Sequence, residues 1–181
     1  MFEYIKGKTL KSFLKTRKDN KIEEWEAKKI LKSITNAIVY LHEKQITHRD
    51  IKLDNIMVDS NLESKLIDFG FSVCSSSNQK LKLFCGTPSY MSPEIAARKE
   101  YYGPPTDIWS LGVLLYTMIC GYFPFKGFTE SELYRKIIAG GLNIPNSVSE
   151  NAKLLIRRML SSDPLKRPSA SEVFHKIGVK R

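Results

Sequence analysis

Cysteine is scarce in this 181-residue sequence, which contains only three. They are Cys74, Cys85 and Cys120, and no two of them form a C-x-x-C pair. An odd number without that spacing argues against a disulfide framework and against a structural zinc site. The cysteine content therefore favours a reducing compartment, and we expect a cytoplasmic protein, with the nucleus as a further intracellular location.

Long apolar runs are missing as well. The longest apolar stretch, residues 108–120, is interrupted by Ser110, Gly112 and Thr117, whereas a membrane-spanning helix needs about 20 consecutive apolar residues. Charged residues from Glu3 onward also exclude a signal peptide at the N-terminus. With 42% hydrophobic and 27% charged residues, the composition is that of one soluble globular domain with a sizeable core.

Acidic residues are outnumbered by basic ones, 19 to 29, which gives a net charge of +10. Such a balance is compatible with binding to nucleic acid or to an anionic membrane. Many of the lysines, however, stand singly between acidic or apolar residues. We therefore interpret the charge as a solvated lysine-rich surface and expect no nucleic-acid partner; the oligomeric state stays open.

The pattern of apolar residues predicts a mainly helical chain with a few short strands. Residues 23–43 form an amphipathic helix by their spacing, and residues 106–119 form a helix that is apolar nearly all round, with Thr106 as its N-cap. Short strands are predicted at 56–58 and 65–67 and a loop at 71–93. Three further helices are predicted at 129–139, 151–160 and 169–176, with Ser149 and Ser169 as caps.

Four motifs follow one another along the chain in an informative order. They are His48-Arg49-Asp50-Ile51-Lys52-Leu53-Asp54-Asn55, Asp68-Phe69-Gly70, Gly86-Thr87-Pro88-Ser89-Tyr90-Met91-Ser92-Pro93-Glu94 and Asp107-Ile108-Trp109-Ser110-Leu111-Gly112. In this order and spacing they resemble the eukaryotic protein kinase family over essentially the whole chain. Finer features look like its calmodulin-dependent and AMP-activated branch: Cys85-Gly86-Thr87-Pro88, Gly121-Tyr122-Phe123-Pro124-Phe125 and Asp163-Pro164 with Arg167-Pro168.

The resemblance implies an α+β protein-kinase-like fold, here mainly its α-helical C-terminal lobe, and an enzyme that uses ATP and Mg²⁺ to phosphorylate serine or threonine of protein substrates. Phosphoryl transfer needs an oriented hydroxyl, an aligned phosphate and cations that absorb charge. By resemblance, Asp50 meets the incoming hydroxyl, Asn55 and Asp68 bind the metal through hard oxygen ligands, and Lys52 reaches the γ-phosphate and marks the serine/threonine class. Thr87 resembles the threonine that keeps Asp50 and Lys52 aimed. The alternative is that these residues are turn caps.

Other residues resemble the supports of that site. Asp107 corresponds to the aspartate that holds the backbone of the 48–50 loop, and Glu94 with Arg167 to a buried ion pair. His48 and Phe69, followed by Gly70, resemble members of a stacked apolar column; His48, His42 and His175 are interpreted as structural. Arg49 resembles the arginine that receives a phosphate on the activation segment, residues 68–94, but Leu83 stands where the family has a phosphothreonine.

The first nine residues look like the hinge between two kinase lobes. The resemblance places Phe2 at the gatekeeper position and directs the backbone of Glu3 and Ile5 to the adenine. Met57 would form the apolar floor beneath the ring, with Leu10 behind it. The alternative is a short strand that binds no ligand.

The sequence contains no G-x-G-x-x-G and no V-A-I-K-type lysine, two features that the family carries on its small lobe. We therefore expect that lobe to be absent from this chain, which would be either a fragment or a natural truncation. The second functional hypothesis is a catalytically inactive module that binds proteins through its 103–140 surface. A further departure is Thr9, where relatives often carry an acid near the ribose. The acidic residues that would recognise basic substrates are only partly present, and Asp54 is one candidate.

Overall fold

Helices dominate residues 5–76 and 79–178, the parts of the chain that the computed structural model describes. The helices are α1 (Leu10–Lys15), α2 (Glu24–Glu43), α3 (Pro93–Ala96), α4 (Gly103–Cys120), α5 (Glu130–Ala139), α6 (Glu150–Met159) and α7 (Ala170–Gly178). The strands are β1 (Lys8–Thr9), β2 (Ile46–Thr47), β3 (Ile56–Val58), β4 (Ser64–Leu66) and β5 (Val73–Cys74). The mainly helical architecture with a few short strands is confirmed.

Helix α2 begins within one residue of its predicted start and ends at its predicted end. Ile30, Ile34 and Ile38 recur every four residues and are fully buried, so one stripe of the helix faces the core. At its start, Glu23 and Glu26 form a reciprocal capping box that satisfies two backbone N–H groups. Strong periodicity together with a defined cap explains why the sequence located this helix well.

Helix α4 crosses the centre of the domain and is buried on nearly every side, as the sequence predicted. Its predicted start was wrong, because the helix begins at Gly103 and Thr106 lies inside it. The Thr106 hydroxyl donates to the Gly103 carbonyl at 2.7 Å rather than capping the helix. Pro104 occupies the first turn, where a proline costs no hydrogen bond and its fixed φ suits the helix.

The caps of the last two long helices are confirmed. The Ser149 hydroxyl accepts from the Ala152 N–H at the start of α6. Ser169 accepts from the Glu172 N–H, and the Glu172 carboxylate accepts from the Ser169 N–H at 2.7 Å, which completes a capping box for α7. The sequence missed α1 and α3, since six and four residues are too few to show helical periodicity.

Two small antiparallel sheets bracket the 48–55 loop. The first has strand order β1–β3–β4, with Thr9 opposite Met57 and Ile56 opposite Leu66. The second pairs β2 with β5, so that Thr47, just before the loop, lies opposite Val73. Both ends of the loop are therefore anchored in strands, and residues 67–72 are brought back alongside it.

A single large apolar cluster joins α1, α2, α4, α6 and α7. A smaller cluster of Met91, Ile95 and Tyr101 lies beneath residues 81–84. Within the described ranges, no helix combines the length and apolar character needed to cross a membrane.

Candidate active site

The backbone of the 48–50 loop is held by one buried carboxylate from the first turns of α4. Asp107 is 1% exposed, and its two oxygens accept from the N–H groups of His48 and Arg49, each at 2.9 Å. The Nε2 atom of His42, in the last turn of α2, lies 2.9 Å from the same carboxylate. The loop is thus tied to the two central helices.

Three side chains meet at the carboxylate of Asp50, a residue that is 4% exposed. Thr87 donates to its Oδ1 at 2.9 Å, and the Asn55 amide donates to its Oδ2 at 2.9 Å. The Lys52 Nζ lies 2.7 Å from Oδ2 and also donates to the Thr87 hydroxyl at 3.1 Å. The carboxylate is consequently fixed in orientation by a charged partner and two neutral ones.

Asp68 lies at the same end of the β3–β4 hairpin as Asn55. The Ile67 N–H donates to the Asn55 carbonyl at 2.9 Å, which places the residue before Asp68 beside Asn55. The Asp68 side chain is exposed and accepts from the Gly70 N–H at 3.0 Å. No described group of three or more His, Cys, Asp or Glu side chains is arranged to hold a metal by itself.

Two non-glycine residues of the site have left-handed backbone conformations. The φ angles of Arg49 and Asp68 are +66° and +64°, a region that costs non-glycine residues free energy and persists only where the surroundings enforce it. The Arg49 guanidinium also donates from Nε to the Phe71 carbonyl at 2.6 Å. This bond links the 48–50 loop to the segment that follows Asp68.

His48 and Phe69 pack against each other edge to face, with ring centroids 5.0 Å apart. Burial of His48 lowers its pKa below the usual value, although the nearby carboxylate of Asp107 acts in the opposite direction. Its Nδ1 accepts from the Asp50 N–H at 3.3 Å, as a neutral ring can. Phe69 remains half exposed.

Glu94 and Arg167 form a bidentate ion pair with distances of 2.7 and 2.8 Å. The Arg167 side chain has no exposed surface, and it donates further to the carbonyls of Ser161 and Pro105. Its guanidinium also lies over the ring of Trp109. The pair connects α3, next to the 86–94 motif, with α4 and the turn before α7.

The residues predicted to line a nucleotide site are only partly described. Phe2 and Glu3 lie outside the described residues. Ile5 and Met57 are half-buried; Met57 lies in β3 opposite Thr9 of β1, the strand that follows Ile5. Leu10 is fully buried in the core, so it can support such a site from behind but has no surface with which to contact a ligand.

Three contacts were not anticipated from the sequence. The Tyr90 hydroxyl accepts from the Leu53 N–H at 3.2 Å inside the site, and burial raises the Tyr90 pKa. Asp54, a candidate for recognising basic substrates, is ion-paired with Lys11 at 2.9 Å. The contact of His42 with Asp107 spans 65 residues. No local sequence signal predicts any of these, since each joins residues that are 37 to 65 positions apart in the sequence.

The chain is similar in sequence to known protein kinases. The family model described as "Protein kinase domain" matches residues 1–177. "Probable serine/threonine-protein kinase MARK-A" of Dictyostelium discoideum is 44% identical over 154 residues, which are 85% of this chain and 14% of that protein. "Serine/threonine-protein kinase SIK2" of Gallus gallus is 43% identical over 152 residues, 84% of this chain and 19% of that protein.

A third relative, "Protein kinase kin1" of Schizosaccharomyces pombe, is 35% identical over 175 residues, 97% of this chain and 19% of that protein. The chain thus spans less than a fifth of the length of these three curated relatives. Two of the three carry names of the serine/threonine class. On its sequence, its fold and these matches, the chain belongs to the protein kinase family.

Proposed function

We propose that this chain supplies the catalytic lobe of an enzyme that transfers the γ-phosphoryl group of ATP to serine or threonine hydroxyls of proteins. The observation that carries the proposal is the arrangement around Asp50. The side chains of Lys52, Asn55 and Thr87 lie 2.7–2.9 Å from its carboxylate oxygens, and the Lys52 Nζ lies 3.1 Å from the Thr87 hydroxyl. Members of the serine/threonine protein kinase family are its relatives. A set of unrelated turn caps would not require these four side chains to meet.

In the proposed reaction, Asp50 orients the substrate hydroxyl and accepts its proton as the oxygen attacks phosphorus. The Asn55 amide and the Thr87 hydroxyl keep the carboxylate aimed, since each donates to a different oxygen. Lys52 is 21% exposed in its side chain and shared between Asp50 and Thr87. Its ammonium is available to stabilise negative charge on the transferred phosphoryl group.

Asn55 and Asp68 are the residues that would hold Mg²⁺. They offer an amide oxygen and a carboxylate at one end of the β3–β4 hairpin, and both are hard oxygen donors. Mg²⁺ commonly uses one or two carboxylates and completes its shell with waters and substrate phosphates, so the absence of a larger described acidic cluster fits this ion. When bound, the metal would neutralise negative charge on the phosphates.

For the nucleotide, we propose that residues 1–9 form the hinge, with the backbone of Glu3 and Ile5 facing the adenine and Met57 beneath it. The pairing of β1 with β3 supports this, because it brings the strand after Ile5 alongside Met57. The 181 residues contain no glycine-rich loop, so we propose that this lobe works together with a small lobe that carries one.

The test is activity of this chain fused to a complete protein kinase small lobe. The fusion should phosphorylate serine or threonine in a generic protein substrate with Mg²⁺ and ATP. Asp50→Ala should lower the rate by about 10²- to 10⁴-fold, the usual contribution of a positioned general base. Asp163→Asn is the matched control, because Asn can replace Asp at this surface cap. Equal rates in wild type and Asp50→Ala would contradict the proposal.

A nucleotide titration separates this function from a protein-binding module. A ligand that binds only the folded state raises its melting temperature, so ATP with Mg²⁺ should stabilise the fusion. If neither phosphoryl transfer nor a shift in melting temperature is seen, the binding-module hypothesis is favoured.

A further inference from the structure

Residues 79–86 lie over the segment that precedes α4, and they are attached there without an anionic side chain or a side chain that could carry a phosphate. Their sequence, Gln-Lys-Leu-Lys-Leu-Phe-Cys-Gly, contains no acidic residue and no side-chain hydroxyl. Leu81 and Tyr101 instead exchange two backbone hydrogen bonds, at 2.8 and 3.0 Å. The Tyr101 hydroxyl donates to the Leu83 carbonyl at 2.9 Å. Three hydrogen bonds to one residue thus hold this stretch of chain.

Apolar and cation–π contacts reinforce the same attachment. The Arg98 guanidinium lies 4.3 Å from the centroid of the Phe84 ring, and Phe84 also packs edge to face against Tyr134 of α5. Tyr101 is 3% exposed and packs in one cluster with Met91 and Ile95, against which Leu81 and Phe84 rest. The ring of Tyr101 therefore supports residues 81–84 through apolar contacts, while its hydroxyl is bonded to the Leu83 carbonyl.

The segment that Tyr101 holds runs directly into the site of Asp50. A Cβ added at Gly86 would lie 3.2 Å from the Arg49 carbonyl oxygen, and the next residue, Thr87, donates to the Asp50 carboxylate at 2.9 Å. Arg49 in turn is held by Asp107 through its backbone and by the Phe71 carbonyl through its side chain. Residues 79–86 thus connect Tyr101 with both Arg49 and Asp50.

We propose that Tyr101 is a positioning residue whose hydroxyl fixes residues 79–86 through the Leu83 carbonyl, so that Thr87 and the loop carrying Asp50 are held in place without a phosphate on this segment. Its effect on catalysis rests on the proposed function, whereas its effect on the conformation of residues 81–86 does not. Leu83 at the family's phosphothreonine position is consistent with this, since the segment is attached through the Leu83 carbonyl.

The conformational part is tested on the full 181-residue chain by hydrogen exchange and thiol labelling. Tyr101→Phe removes only the hydroxyl, and the neighbouring Tyr102→Phe is the matched control. We expect Tyr101→Phe to accelerate amide exchange of residues 81–86 and alkylation of Cys85 by about two- to tenfold, the range of one hydrogen bond in a local opening equilibrium. The labelling of Cys74 and Cys120 should stay constant.

Unchanged exchange at residues 81–86 in Tyr101→Phe would overturn the proposal. So would an equal acceleration over the whole chain, since the hydroxyl would then serve general stability alone. A response of the same size in Tyr102→Phe would also count against it.

The catalytic part is tested on the active fusion. Phosphatase treatment of the wild type should leave its rate unchanged, and Tyr101→Phe should lower kcat several-fold while the KM for ATP stays constant. A loss of activity on phosphatase treatment, or equal kcat in Tyr101→Phe and wild type, would contradict the inference. If the wild-type fusion transfers no phosphate, the proposed function fails, and the exchange experiment alone decides the role of Tyr101.

Discussion

At the scale of single residues, the site is built from side chains whose partners lie far away in the sequence. Thr87 reaches Asp50 across 37 residues, and Asp107 reaches the backbone of His48 across 59. Both Asp107 and His48 are buried. A buried polar group is costly unless it is hydrogen-bonded, so each of these residues depends on the others being in place.

His48 makes the stability of the protein depend on pH in a predictable direction. Because its pKa is lowered in the folded protein, unfolding takes up a proton in the window between that pKa and the ordinary value of about 6.5. The unfolding free energy should therefore fall as the pH drops below about 6.5. One proton contributes a slope of at most about 1.4 kcal/mol per pH unit.

Urea unfolding between pH 5 and pH 8 measures this slope. The slope should be smaller in His48→Phe than in the wild type, whatever the overall stability of the variant. A wild-type slope equal to that of His48→Phe would show that this histidine does not titrate differently on unfolding.

At the scale of elements, the C-terminal end of α4 determines the path of residues 16–22, which connect α1 with α2. Gly121 ends the helix in a left-handed conformation, with φ +81°. A Cβ atom at this position would overlap the Asp19 carbonyl. Just beyond, the Ile22 N–H donates to the Met118 carbonyl at 2.9 Å. The chain between α1 and α2 thus depends on the absence of a side chain at Gly121.

Gly121→Ala should destabilise the protein more than the same change at Gly141. Both glycines have positive φ, +81° and +85°, so both substitutions carry the left-handed penalty of about 1–2 kcal/mol. Only Gly121 meets another atom, whereas a Cβ at Gly141 has open space around it. We expect an additional loss of about 1–3 kcal/mol at Gly121, measured by thermal or denaturant unfolding. Equal losses would mean that the segment near Asp19 moves away freely.

At the scale of the whole molecule, the ion pair of Glu94 and Arg167 joins parts of the chain that are 73 residues apart. It connects the 86–94 motif to the lower helices through a side chain that has no exposed surface. Arg167 also donates to Pro105 at the start of α4. Loss of one partner leaves a buried charge without its counterpart.

Glu94→Gln should therefore lower the unfolding free energy by about 3–5 kcal/mol. The matched comparison is Lys29→Gln, which breaks the exposed pair of Lys29 and Glu63 and should cost at most about 1 kcal/mol. Denaturant unfolding of the two variants measures the difference. Similar losses in both would show that Arg167 finds another partner or reaches water.

Much of the local structure could be predicted because its signals lie within a few residues of one another. The spacing of Ile30, Ile34 and Ile38 indicated α2, and the hydroxyls of Ser149 and Ser169 indicated the starts of α6 and α7. Several elements of two to six residues, such as β5 and α1, escaped detection because their signals are too short, although the three-residue strands β3 and β4 were predicted to within one residue. Thr106 misled the prediction for α4, since a threonine inside the first turn resembles a cap.

The sequence by itself determined the family, the long helices and the residue types available for chemistry, because these follow from local order and periodicity. Only the tertiary structure decided which partners those residues have. The packing of α2 against α4 brings His42 to Asp107, and that of α1 beside the 53–55 turn brings Lys11 to Asp54. The pairing of Leu81 with Tyr101 attaches residues 79–86 to the segment before α4. Such contacts join residues 20 to 65 positions apart, and their geometry depends on the packing of the whole core rather than on any local pattern.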